Sequence, residues 1–420
     1  LPRGSARQVR RPRIMRAGSA TATREQVEPA RSEGTGAPCL VILGGGQLAR
    51  MLALAAVPLG CRVRCVETHA DCPAAWVAPV TTVPSWEDVP AVVSAVGPEG
   101  VVTLENEFIP DGTIEALAAR GRTVLPGFAT MRRIRDKFLQ KTTLADAGLP
   151  VPAFAPVAGP EEIRARGASW GWPVVLKARC HGYDGKGNAT LQGPQDVEEA
   201  WRRLGGPSGR ALYVEAFCPF EREIAVQVTR GRDGRSVVYP VVETVQRNHI
   251  CHHVLAPARL GGPLAARAAE LAQAAVESVG GVGTFGVEMF LGAEGALWIN
   301  ELAPRVHNSG HYTIEACECS QFENHVRAVL GWPLGSVRMR APAAVMVNLL
   351  GRTAGSGRVR GLEQALAIPG VHVHLYGKSR CAPGRKMGHV TVLGTTVEEA
   401  WARAEEAARA IEFGVGSEEE

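Results

Sequence analysis

The chain has 420 residues, 45% hydrophobic and 21% charged, with a formal charge of +4. That is enough for two or three packed domains. No apolar run approaches the roughly 20 residues that cross a bilayer as a helix, so no membrane partner is expected. Residues 1–36 carry eight arginines against Glu25, Glu28 and Glu33, a balance of +5 that leaves −1 for the rest. A near-neutral body argues against nucleic acid as a partner. Ten cysteines are scattered without a CxxC pair. They fit reduced thiols better than a zinc site or a secreted disulfide framework.

Residues 1–36 have no acid before Glu25 and no apolar h-region. This composition fits a transit peptide for a plastid or another organelle; the alternative is a disordered arm on a cytoplasmic protein. Apolar runs then predict strands at Cys39–Leu43, Cys61–Glu67 and Val101–Glu105. Helical patterns lie at Gln47–Leu59 and Ile114–Arg120, an alternation that implies a parallel α/β sheet. Arg132–Ala147 reads as one helix ended by Gly148 and Pro150. Further strands are expected at Trp172–Ala178, Leu212–Ala216, Glu221–Thr229 and Ser236–Glu243, with helices at Asp196–Leu204 and Leu264–Val279. A third region from about Gly335 holds strands Ala343–Leu349, Val371–Tyr376 and His389–Leu393, then a helix Thr396–Ile411.

Gly286–Leu291 and Ala296–Glu301 are strand-like runs around a Gly-Ala-Glu-Gly turn. Folded as a hairpin, they set Glu288 across from Ile299 and Asn300. Glu288, Asn300 and Glu301 then converge as oxygen ligands suited to magnesium, which takes one or two carboxylates and fills its shell with phosphate and water. Arg305, His307, Asn308 and His311 follow directly, and Arg305 offers a planar fork for an oxyanion. Any one of these residues alone fits a solvated hairpin; their density favours metal-bound phosphate chemistry.

Two glycine-rich loops differ in weight. Gly44-Gly45-Gly46-Gln47-Leu48-Ala49 approximates a dinucleotide fingerprint, with Glu67 ending the next strand. On its own it promises only amides that hold an anion. Gly182-Tyr183-Asp184-Gly185-Lys186-Gly187-Asn188 follows a strand closed by Lys177 and can fold over phosphates, although it is not a Walker A motif. Tyr213-Val-Glu215-Ala-Phe217 ends a strand where Glu215 can accept from an adenine amino group.

In this order the segments GGGQLARM, TLENE, DKFLQK, GYDGKGN, YVEAF, NELAPRVHNSGHYT, HLYGK and RKMGH resemble the ATP-grasp superfamily, and within it the carboxyaminoimidazole ribonucleotide synthases. The resemblance covers residues 38–412. It implies α/β and α+β domains: an N-terminal parallel α/β (pre-ATP-grasp) domain at 37–130, an ATP-grasp domain at 131–334 and a small β-rich C-terminal domain at 335–413. Residues 1–36 would be the arm and 414–420 a frayed tail or linker. The implied reaction carboxylates the amine of 5-aminoimidazole ribonucleotide with ATP, Mg2+ and bicarbonate, without biotin.

By the same resemblance Lys137, Lys177 and the loop Gly182–Asn188 meet ATP phosphates. Glu215, Ala216, Phe217 and Cys218 read adenine, and Glu223 and Gln246 meet the rest of the nucleotide. Glu288, Asn300 and Glu301 hold magnesium. Arg305, His307, Asn308 and Lys378 are the catalytic candidates, and whether His307 works by charge or by hydrogen bonding stays open. Tyr183, Asp184, Lys186, Lys378 and Arg385 would hold the ribonucleotide. By looser analogy the Gln47 and Leu48 amides meet its phosphate and Glu105 its ribose. Val306 stands where proline is expected, which would loosen the loop. Related enzymes add a homodimer and a fused or associated mutase as expected partners. A formate-dependent glycinamide ribonucleotide transformylase or a biotin carboxylase fits less well. A nicotinamide-dependent dehydrogenase would leave the hairpin and the second glycine loop idle.

Overall fold

The computed structural model describes residues 36–180, 182 and 187–414. The expected ligand residues Tyr183, Asp184, Gly185 and Lys186 lie outside them. The first region alternates β1 (Cys39–Leu43), α1 (Gln47–Ala56), β2 (Arg62–Glu67), β3 (Val80–Thr82), α2 (Val89–Val96), β4 (Val101–Leu104), α3 (Asp111–Ala119) and β5 (Thr123–Leu125). The five strands form a parallel sheet in the order β3-β2-β1-β4-β5. Helices cover both faces, so Leu40–Leu43 are apolar at every position and fully buried. Strand order reverses between β1 and β4, the place where open α/β sheets leave a crevice. Gly44–Gly46 and Glu105–Glu107 emerge there.

The helix expected at 132–147 is two helices, α4 (Phe128–Arg135) and α5 (Lys137–Asp146). Asp136 between them is extended, at φ −86° and ψ 107°. Its carboxylate caps α5 by accepting from the amides of Phe138 (3.0 Å) and Leu139 (3.2 Å). It also holds Arg179 Nε at 2.9–3.0 Å.

A small antiparallel sheet follows, in the order β6-β9-β7-β8. It is built from β6 (Phe154–Val157), β7 (Val174–Ala178), β8 (Asn188–Leu191) and β9 (Leu212–Ala216), with helices α6 (Pro160–Trp170) and α7 (Val197–Arg203). β6 was not expected because Pro156 interrupts it; a proline is tolerated on that edge strand.

The main sheet holds β10 (Phe220–Arg230), β11 (Ser236–Val238), β12 (Val242–Arg247), β13 (Ile250–Ala256), β14 (Gly283–Gly292), β15 (Leu297–Ala303) and β16 (Ala343–Leu350), with helix α8 (Gly262–Ser278) between β13 and β14. Its path is β15-β14-β10-β12-β13-β16, then strands Lys386–Gly394 and Val371–Leu375. The sheet therefore continues through the boundary expected near residue 335, because β13 pairs with β16. β12 and β13 are joined by Asn248 and His249, both at positive φ (51° and 62°), a two-residue turn of the kind that matches strand twist.

Helix Gln321–Leu330 links the first region to the main sheet. Its His325 is fully buried; Nδ1 accepts from the Thr284 amide (3.0 Å) and Nε2 meets Thr103 Oγ1 (2.7 Å). Burial brings its pKa down to about 4, from an ordinary 6.5. Between those values the unfolded chain binds a proton that the folded chain refuses. Stability should therefore fall with falling pH over that window, by about 3 kcal/mol in full. Urea unfolding from neutral pH down to about pH 4 checks this. His325→Gln should flatten that part of the profile, and an unchanged slope would contradict it.

Candidate functional site

The acidic hairpin forms with one change of register. Glu288 pairs directly with Glu301, Met289 pairs with Ile299, and Asn300 is the extra residue of a bulge. The expected facing of Glu288 and Ile299/Asn300 is thus corrected: the bulge brings the two carboxylates opposite each other. Their side chains keep 28% and 40% exposure but are ringed by protein. Enclosure, then the neighbouring Glu301, pushes the Glu288 carboxyl up. Enclosure acts the same way on Glu301, but Lys137 outweighs it and holds that carboxyl down. Lys137 Nζ stands 2.8 Å from Glu301. Burial would lower the Lys137 pKa; Glu301 and Glu107 raise it.

Two like charges held together and one amide oxygen fit magnesium, which needs few protein ligands when phosphates supply the rest. Among the described residues no group of three or more His, Cys, Asp or Glu is placed to hold a metal.

Lys177 Nζ donates to Glu215 Oε2 at 2.6 Å. The other Glu215 oxygen takes Tyr213 Oη (3.0 Å) and Lys141 Nζ (3.3 Å). Burial would raise the Glu215 pKa, but Lys141 and Lys177 bring it to about 2. This carboxylate, expected on the adenine amino group, is also held by two lysines and a phenol. Lys141, 2% exposed, was missed although it lies in DKFLQK. Its burial, opposed by Glu215, brings its pKa to about 8. Glu223 stands on β10 and Gln246 on β12, and a hydrogen bond between them opposes the burial that raises the Glu223 pKa. Ala216 ends β9; Phe217 beyond it is exposed and Cys218 buried. Gly182 and Gly187 flank the undescribed residues, and Asn188 begins β8 beside Lys177.

Arg305 does not reach into open space. Its Nε lies 2.7 Å and its Nη2 3.4 Å from the two oxygens of Glu107. Burial would raise the Glu107 pKa; Arg305 overrides it and holds it at about 2. Glu107 was missed as a site residue because its partner is 198 positions away.

His307 is clamped at its backbone by Gln321, which accepts from its amide (2.9 Å) and donates to its carbonyl (2.7 Å). The ring packs where a Cβ on Gly286 would sit, 2.5 Å from the His307 Cβ, so glycine is required there. Burial, then Arg305 and Lys386, bring the imidazole pKa down to about 3. A neutral ring offers a hydrogen bond rather than a charge. Ser309 Oγ, which accepts from Gln227, lies 2.7 Å from Nδ1. Nδ1 therefore accepts and Nε2 carries the proton, 3.4 Å from Glu288 Oε1.

Asn308 opens the short turn after His307. Its amide exchanges two hydrogen bonds with Asn348 on β16 (2.9 and 2.7 Å). Val306 does not loosen the loop, being fully buried in the core. Lys378 donates to the Lys386 carbonyl (2.7 Å) and lies 5.6 Å from the Tyr376 ring. Arg385 is exposed and donates to the Arg380 carbonyl (2.7 Å). The cation whose field reaches both Glu288 and His307 is Lys386, which the sequence reading passed over.

The first glycine loop is filled by the protein itself. The Gly45 amide donates to Glu67 (2.8 Å), and the Gly46 and Leu48 amides donate to Glu105. Glu105 is 6% exposed, and burial raises its pKa against the pull of those amides. Leu48 and Glu105, expected on a ligand phosphate and its ribose, are hydrogen-bonded to each other. Gln47 opens α1 beside them, half-buried.

Family models match over most of the described chain: a ribonucleotide synthetase preATP-grasp domain at 39–135, an ATP-grasp domain at 142–322 and a phosphoribosylaminoimidazole carboxylase C-terminal domain at 344–403. An N5-carboxyaminoimidazole ribonucleotide synthase of Synechococcus elongatus is 40% identical over 84% of this chain and 88% of its own length. The chain belongs to that family. A chloroplastic phosphoribosylaminoimidazole carboxylase of Vigna aconitifolia is 39% identical, over 85% of this chain but only 64% of its own length. The family's structural likeness is close: an Aspergillus clavatus synthase in complex with ADP and 5-aminoimidazole ribonucleotide matches with a TM-score of 0.80 at 35% identity, over 89% of this chain and 98% of that one. The pre-ATP-grasp, ATP-grasp and C-terminal parts of this chain correspond to the expected fold class.

Proposed function

We propose that the protein carboxylates the amine of 5-aminoimidazole ribonucleotide, using ATP and bicarbonate, to give 5-(carboxyamino)imidazole ribonucleotide, ADP and phosphate in purine biosynthesis. The observation that carries this reading is one convergence of charge. Lys137 feels Glu301, Glu107 and Glu288 together, and Arg305 feels Glu107, Glu301 and Glu105. Magnesium bound by Glu288, Glu301 and Asn300 would screen the nucleotide phosphates. Lys137 and Lys177 would bind those phosphates, each exchanging part of its present carboxylate contact. Glu215 and the backbone from Ala216 to Cys218 would read adenine, Glu223 would bind the ribose, and Gln246 would touch the nucleotide beside it.

A bicarbonate oxygen attacks the γ-phosphorus, the bond to the ADP oxygen breaks, and carboxyphosphate results. Loss of inorganic phosphate from it leaves carbon dioxide. The ribonucleotide amine adds to that carbon and gives up a proton, forming the carbamate. Arg305, aimed by Glu107, stabilises oxyanion charge as it grows, and His307 contributes the hydrogen bond of Nε2. ADP release should require bicarbonate, the ribonucleotide and magnesium together. It should stop in excess EDTA and ignore avidin, since no biotin is involved. Release that continues without the ribonucleotide, or that avidin blocks, would refute the reading.

Lys378, Arg385 and Lys386 are assigned to the ribonucleotide. Arg385→Ala should raise the KM for the ribonucleotide roughly ten- to hundredfold and leave that for ATP nearly unchanged, as expected for the loss of one charge-assisted contact. A matched rise in both would place Arg385 elsewhere. A homodimer, a fused or associated mutase, and organellar import of the arm complete the proposal. The greater length of the Vigna protein and its chloroplastic designation support the last two.

A further inference from the structure

Strands Val371–Leu375 and Lys386–Gly394 gather histidines that the chemistry above leaves unused. His374 pairs directly with His389. Their rings stack, with centroids 4.4 Å apart and planes 13° from parallel. The His311 ring comes next, its centroid 5.1 Å from that of His389. Each ring is anchored at an edge. His374 Nε2 lies 2.7 Å from Glu315 Oε1, Gln321 Nε2 donates to His311 Nδ1 (3.1 Å), and His389 Nδ1 meets Tyr376 Oη (3.0 Å). His389 is fully buried, and its Nε2 has no partner among the described residues. A buried imidazole satisfied on one side only weakens a fold relative to an apolar ring. The one hydrogen bond of that ring, to Tyr376, is therefore the contact that needs explaining.

Tyr376 leads to Lys378. Its ring lies 5.6 Å from the Lys378 ammonium, within the range of a cation–π contact. The same ammonium donates to the Lys386 carbonyl, so ring and carbonyl hold it together. A lysine loses rotamer freedom when it binds an anion. A ring fixed beside the ammonium lowers that cost before substrate arrives. We propose that Tyr376 and His389 are positioning residues: the bond between hydroxyl and imidazole fixes the tyrosine ring, and the ring aims Lys378 at the ribonucleotide. The inference rests on the assignment of Lys378 made above. Tyr376 and His389 are at most 1% exposed, so they act through Lys378 rather than on substrate. His389 works by hydrogen bonding, since burial, then His374 and His311, holds its pKa well below the ordinary 6.5.

Tyr376→Phe deletes one oxygen and keeps the ring. It should raise the KM for 5-aminoimidazole ribonucleotide about three- to tenfold and leave that for ATP within about twofold. His389→Phe keeps the stack without the hydrogen bond and should do the same. His389→Asn, whose amide can stand in for Nδ1, should recover most of the loss. The double variant Tyr376→Phe/His389→Phe should be no worse than either single one, because both remove the same bond. In a Lys378→Ala background, Tyr376→Phe should leave the remaining KM within about twofold. An unchanged ribonucleotide KM in Tyr376→Phe, an equal rise in the KM for ATP, or a full effect that persists without Lys378 would each overturn the proposal. The placement of Lys378 is also read without substrate. After reductive methylation with carbon-13 formaldehyde, its NMR resonance is assigned by its loss in Lys378→Ala. Tyr376→Phe should move that resonance toward its position in urea-unfolded protein, and a resonance that stays put overturns the positioning role. A parent protein whose resonance responds as expected, yet which releases no ADP with the ribonucleotide, would refute the ligase reading and leave the positioning of Lys378 established.

Discussion

Glu288→Gln is expected to lower turnover by roughly a thousandfold, about 4 kcal/mol of transition-state stabilisation, without weakening the fold. The reason lies in the pairing of Glu288 with Glu301 across the bulge at Asn300. A glutamine has the same shape but is a poor magnesium ligand. Enclosure and Glu301 raise the Glu288 carboxyl pKa above its ordinary 4.5. For an acid raised in the folded state, ionisation costs stability once pH passes the unfolded value. The neutral amide removes that cost, so the melting temperature should hold or rise. The same logic makes magnesium and a proton compete for Glu288 in the parent protein, so metal affinity should strengthen as pH rises. Calorimetry and ADP release check both halves. A variant that keeps a tenth of the activity, or melts far lower, would contradict the assignment.

Arg305→Ala should lower turnover about a hundred- to a thousandfold at saturating substrates, with the KM for ATP little changed. Its target charge grows only as carboxyphosphate forms. A structural cost accompanies this loss, because Glu107 is left without its fork. In the parent, Arg305 holds the Glu107 pKa near 2, below the ordinary 4.5. That pair therefore supports folding fully above about pH 4.5 and loses its effect as pH falls toward 2. The variant should forfeit this support at neutral pH. Arg305→Lys keeps the charge without the bidentate geometry and should recover only part of the turnover. If Arg305→Ala weakened ribonucleotide binding and left turnover intact, Arg305 would belong to the substrate site instead.

What was legible in the sequence was the chemistry concentrated in short runs. Glu288, Asn300 and Glu301 lie in one hairpin, and Lys177 closes an apolar strand, so period and turn chemistry were enough to place them. What was not legible depended on distant partners. A helical pattern runs through residues 132–147, and only the capping of α5 and the contact with Arg179 show why it breaks at Asp136. Alternation in a strand says nothing about an extra residue, so the register at Asn300 was missed. The first glycine loop promised an anion site, and the sequence could not show that Glu67 and Glu105 already occupy its amides. Lys141, Glu107 and Lys386 stood in quoted motifs, but each takes its meaning from a carboxylate, an arginine or a histidine far along the chain.

The most direct measurement is incorporation of carbon-13 bicarbonate, followed by NMR alongside ADP release. The account predicts a carbamate carbon on the ribonucleotide amine, formed in equal amount to ADP, absent without the ribonucleotide and abolished in Glu288→Gln. ADP formed in full amount with no labelled carbamate, and none trapped at short times, would show that this cleft cleaves ATP for a different acceptor.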